Sequence, residues 1–115
     1  MCSKRIGQWQ ARIEQIKREL VGLGDMRPGS LSEQYNVCGN PGCRCKANPP
    51  EKHGPYQQLS WSRKRKSRTR FIKESELQTV RAQISNYQRL QELVGEWVDA
   101  SIELCDIKRK LEREQ

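Results

Sequence analysis

From Glu74 to Gln115 the chain reads ESELQTVRAQISNYQRLQELVGEWVDASIELCDIKRKLEREQ, forty-two residues with no proline and a single glycine, Gly95. Apolar residues recur through it at helical spacing, so this third of the chain is committed to a long helix. Leu77, Val80, Ile84 and Tyr87 keep one heptad seam, and Leu90, Leu93, Trp97, Leu104, Ile107 and Leu111 keep a second, displaced from the first by three residues. A displacement of that kind either overwinds a coiled coil locally or marks the place where the helix exchanges one packing partner for another. Gly95 lies close to it and permits a bend or break. Glu74 and Glu76 near the start, with Lys108, Arg109 and Lys110 near the end, suit the helix dipole.

A helix with such a stripe needs something to pack on, and the N-terminus offers it. Ile6, Trp9, Ile13, Ile16, Leu20 and Leu23 form a heptad seam predicting a helix from about residue 4 to about residue 23, with Ser3 as N-cap and Gly22 and Gly24 as terminators. At two to three heptads it is too short to stand alone and requires a partner helix, in this chain or another. Only 34% of the 115 residues are hydrophobic and 31% are charged, too thin a supply for a thick core. A metal staple, a helical partner or both would make up the shortage. One folding unit with a protruding helix fits this length.

The segment GDMRPGSLSEQYNV reads as an ordered linker, punctuated by Pro28-Gly29. It leads into VCGNPGCRCKANPPEKHGPY, where Cys38, Cys43, Cys45 and His53 have the spacing C-x4-C-x-C-x7-H. Three thiolates and an imidazole suffice for a closed tetrahedral zinc site, with Gly39, Pro41 and Gly42 letting the backbone fold around the ion. A structural zinc would contribute folding free energy directly. Two other readings stay open: small buried cysteines with a surface histidine, and a reactive thiol. A disulfide framework is disfavoured, because the five cysteines are odd in number and the chain has no secretory signal and no apolar run of membrane-spanning length, which points to the cytoplasm. Cys2 and Cys105 lie outside the cluster and read as a free terminal thiol and a buried helix residue.

Beyond Tyr56 the texture alternates. Tyr56, Gln58 and Ser60 fall on one face of a strand, Gln57, Leu59 and Trp61 on the other, and Thr69 with Phe71 and Arg70 with Ile72 continue the pattern after a turn in SRKRKS. Between Arg63 and Lys73 stand seven cations, Arg63, Lys64, Arg65, Lys66, Arg68, Arg70 and Lys73, and no acid. With a net charge of +8, this hairpin predicts a polyanionic partner and phosphate contacts, with Arg63 to Lys66 as a projecting tip and Arg68 and Arg70 sharing a face. A merely solvated hairpin and an anionic membrane surface are the competing readings. Tyr56, Trp61 and Phe71 read as the small core between hairpin and helix, with stacking on bases as the alternative.

The ordered set PGSL, CGNPGCRC, HGPY, SRTRF and NYQRLQELV, spread over Met26 to Leu104, resembles a family of short bacterial and archaeal proteins of unknown function often encoded beside transposases. The resemblance implies a metal-knuckle and hairpin module between helices and a link to DNA mobility. Where members often carry a second aromatic after HGPY this chain has Gln57 and Gln58, which argues against stacking at those two positions.

The expectations are therefore an α+β fold in three stretches: residues 1–24 an amphipathic helix, 25–73 a zinc-knuckle and basic hairpin module, 74–115 a long coiled-coil-like helix. The expected function is non-catalytic binding of nucleic acid, DNA before RNA, with structural zinc. No acid/base pair, Gly-rich phosphate loop or activated nucleophile recommends an enzyme. The alternative is an assembly or adaptor protein whose heptad helices join a second copy or a partner, and whose hairpin meets an acidic protein.

Overall fold

A computed structural model describes residues 2–36, Gly42 and 53–114. The fold is α+β. Helix α1 spans Cys2–Gly22, strands β1, β2 and β3 span Ser30–Asn36, His53–Arg63 and Lys66–Ile72, and a short 3-10 turn at Glu74–Glu76 opens into helix α2, Leu77–Arg113. The chain divides into two compact units, Met1–Met26 with Asn86–Gln115, and Arg27–Ser85.

In the helical unit the seam of α1 meets the second seam of α2. Ile13 and Ile16 are buried on one helix, Leu93, Ala100 and Ile107 on the other. Three polar contacts fix the direction: the Asn86 amide donates to the Asp25 carbonyl at 2.8 Å, Arg89 pairs with Glu19 at 2.6 Å, and Arg12 with Glu96 at 3.3 Å. From Asp25, just past α1, through Glu19 to Arg12 the partner on α2 moves toward the C-terminus, so the helices are antiparallel and pair within one chain.

In the sheet unit the strand order is β1-β2-β3, antiparallel throughout. Leu59, Ile72 and Val80 form the core, with Leu31, Trp61 and Ile84 packed against it. Leu59 is fully buried. Its close neighbour Gly29 has φ +143°, and a Cβ there would lie 2.8 Å from a Leu59 methyl and 3.0 Å from the Ser60 carbonyl oxygen. Only glycine fits where the PGSL segment crosses β2 so closely.

The displaced seams correspond to a change of partner. Val80 and Ile84 pack with the sheet, whereas Leu93, Ala100 and Ile107 belong to the helical unit, and the boundary falls between Ser85 and Asn86. Gly95 causes no break, for α2 is continuous through it. Four further expectations are corrected. Residues 30–36 are a strand, not a linker, because β2 offers them a free edge to pair with. Strand β2 starts at His53 instead of Tyr56, extended by its pairing with Asn36. Ser3 lies inside α1 instead of capping it, since the helix begins at Cys2. Cys105 is exposed, not buried, because Leu104 and Ile107 take the inward positions of that turn. No helix among the described residues is long and apolar enough to cross a membrane.

Candidate nucleic-acid interface

The hairpin is tighter than the sequence implies. Arg63 pairs with Lys66 across the ladder, leaving Lys64 and Arg65 as a two-residue turn with φ of 53° and 65°. Two positive φ values in a two-residue loop match the strand-compatible turn that ordinarily takes Asn-Gly. Bulky residues there cost about 1 kcal/mol or more each in backbone strain. This hairpin carries two cations at that cost.

Register then decides which charges share a face. Trp61 lies opposite Arg68, Leu59 opposite Arg70 and Arg63 opposite Lys66, so Arg63, Lys66, Arg68 and Arg70 stand on the same face of the sheet as Trp61 and Leu59. Toward the turn that face leaves the core behind, and all the cations from Arg63 to Arg70 are exposed. Arg27 and Arg70 lie over the Trp61 ring, with guanidinium carbons 4.8 and 5.9 Å from its centroid. The contact holds the base of the cationic face in place. Among the described residues no acid is paired with any of the seven hairpin cations. Directly opposed like charges such as Arg63 and Lys66 repel, and a polyanion relieves that repulsion.

The opposite face carries Ser30, Ser60 and Thr69 in one cross-strand row and Ser32, Gln58 and Phe71 in the next. Ser62 and Ser67 hydroxyls are 3.0 Å apart on it. Phe71 and Tyr56, expected in the core, are instead 61% and 42% exposed here. Alternation assigns them this side, and the core residues Leu59 and Ile72 occupy the other. The period of two separates Trp61 from the other pair, so the three aromatics do not form one core.

Of the expected metal ligands, Cys38, Cys43 and Cys45 lie outside the described residues, and His53 is described as the first backbone position of β2. Among the described residues no group of three or more His, Cys, Asp or Glu is arranged to hold a metal ion.

The molecule is thus an α+β protein with two units, a three-stranded antiparallel sheet that presents a basic hairpin and an antiparallel pair of helices. Residues 6–82 match the family described as a domain of unknown function (DUF6788), and the chain belongs to that family. No curated protein and no solved structure is significantly similar to it.

Proposed function

We propose that the protein binds nucleic acid through the β2–β3 hairpin, without catalysing a reaction, as an accessory factor of a mobile element. The observation that carries this reading is the set of exposed, acid-free cations on one hairpin face, Arg63, Lys66, Arg68 and Arg70, capped by the strained Lys64-Arg65 turn. The resemblance to proteins encoded beside transposases favours DNA over RNA. Zinc held by Cys38, Cys43, Cys45 and His53 would staple the segment between β1 and β2, whose flanking residues Asn36 and His53 are paired.

Replacing Arg63, Lys66, Arg68 and Arg70 together by Gln tests it. Affinity for a short DNA duplex should fall at least about 100-fold near 0.1 M salt, and the dependence of log affinity on log salt should become shallower by about 3 to 4. An unchanged slope would sink the reading. For the staple, protein purified without added metal should hold one zinc per chain, and Cys43→Ser should lose it; metal-free protein with freely reactive thiols counts against it.

A second reading rests on α2, where Val94, Val98 and Ile102 are exposed along one side, beside Trp97 and Cys105. Such a stripe suits assembly with a second copy. Val98→Asp with Ile102→Asp should then lower the mass measured by light scattering, and an unaltered mass refutes it.

A further inference from the structure

The sheet has a second face, which the phosphate contacts do not use. From Tyr56 and Phe71 toward the turn it carries Gln58, Ser60, Ser62, Ser67 and Thr69. Its polar groups are hydroxyls and amides, not charges. The two rings meet edge to face, with centroids 6.1 Å apart and planes at 65°. Beside them is a recess lined by Pro55, Tyr56, Phe71, Leu77 and the exposed pair Lys73 and Glu74, one cation and one acid.

Phe71 is the only phenylalanine in a chain poor in apolar residues, yet among the described residues it is the most exposed aromatic, while the sheet core consists of three buried side chains. A folding argument would place it inside, since burying a phenylalanine is worth about 1.5–3 kcal/mol. Ring faces on an open sheet, hydrogen-bonding groups between them and cations at one end are what unpaired nucleotides require: a surface for the bases and charges for the backbone. A duplex hides its base faces and gains nothing from such rings. The turn cations Lys64 and Arg65 belong to neither face and lie about 20 Å along the hairpin from Phe71, so one strand can reach both.

We infer that this face is a stacking platform for single-stranded nucleic acid, with Tyr56 and Phe71 contacting bases while the hairpin tip holds the phosphates. The inference rests on the hairpin reading above and narrows it from nucleic acid in general to unpaired strands.

Fluorescence anisotropy with a labelled oligothymidylate of about twelve nucleotides, inside the ~4–16-nucleotide footprint usual for stacking sites, and with a duplex of equal length separates the two claims. Tyr56→Ala with Phe71→Ala should weaken the single strand roughly 30-fold or more and leave duplex affinity and salt slope unchanged. Phe71→Leu, which retains apolar bulk without a ring, should lose about tenfold for the single strand alone. Phe71→Trp should retain affinity, with indole emission quenched on binding. If the double variant binds the single strand as well as the parent while the four-cation variant loses both ligands, the platform is refuted and the hairpin reading survives. An equal loss for single strand and duplex also refutes the platform, because the rings would then act on the fold. A parent protein that binds neither ligand refutes both.

Discussion

The helical unit and the sheet unit use charge in opposite ways. Across the helices Arg12 meets Glu96 and Arg89 meets Glu19, and within α2 Arg89 also meets Glu92, so cations are matched to acids above a buried apolar seam. On the hairpin seven cations have no acid at all among the described residues, over a core of Leu59, Ile72 and Val80. Charges already matched in the folded state have little left to give a ligand, whereas unmatched ones are costly until a ligand arrives. The helical unit's charges hold it together, and on the proposed reading those of the sheet unit are kept for a ligand.

The sharpest way to break that contrast is through its thin core. Gly29→Ala forces a Cβ against Leu59 and the Ser60 carbonyl at a positive φ, and should cost the sheet roughly 2–3 kcal/mol. Amide exchange in β1 and β2 should then accelerate about 30- to 150-fold. Amides of α1 should keep their protection. Equal acceleration in both units would show that they unfold as one.

The turn gives a smaller but more telling effect. Exchanging Lys64-Arg65 for Asn-Gly removes the strain of two bulky residues at φ of 53° and 65° and should stabilise the hairpin by about 1–2 kcal/mol. DNA affinity should nevertheless fall by about tenfold near 0.1 M salt, as two phosphate contacts are lost. A variant more stable and equally tight in binding would mean that the cations at the tip serve no ligand.

Much of this contrast is legible in the sequence because it rests on periodicity. The heptads of Ile6 to Leu23 and Leu90 to Leu111 imply packed helices, the three-residue displacement allows either local overwinding or a change of partner, and alternation from Tyr56 to Ile72 implies the two faces of the hairpin. What escapes is set by pairing rather than pattern. Ser30–Asn36 has little intrinsic strand character and becomes a strand because β2 accepts it. The turn chemistry of Lys64-Arg65 runs against turn preference, so residue type alone does not reveal a two-residue turn there. Residue spacing alone left open whether the helices pair within a chain, which the Glu19–Arg89 and Arg12–Glu96 contacts answer. Cys38, Cys43 and Cys45 remain a proposal carried by residue type and spacing.

Gly95 allows a gain on the helical side. Nothing lies within 4 Å of a Cβ added there, and the helix passes through it unbroken. Gly95→Ala should raise stability by about 0.5–1 kcal/mol through the unfolded chain, read as a higher thermal midpoint for the helical signal. No gain would mean that α2 departs from straight helix at that point in solution.

The smallest effect concerns the matched charges themselves. The hydrogen bond from Arg89 holds the Glu19 carboxyl below the ordinary glutamate value of 4.5, and the same pairing, with Glu92 adding to it, raises the guanidinium. A carboxyl whose folded value is depressed contributes stability above its unfolded value and loses it as pH falls through the folded one. The helical signal should therefore hold its melting temperature from neutrality to about pH 5 and decline below 4.5. Because the side chains of Arg89 and Glu19 are 39% and 49% exposed, the decline should be slight and should shrink further in 1 M salt, where the screening length is about 3 Å. Glu19→Gln isolates this pair from the other carboxylates: the variant should start lower at neutral pH and converge on the parent in acid. Parallel pH profiles for the two proteins would show that the contact is geometric and carries no stability, and the contrast between matched and unmatched charge would then rest on the hairpin alone.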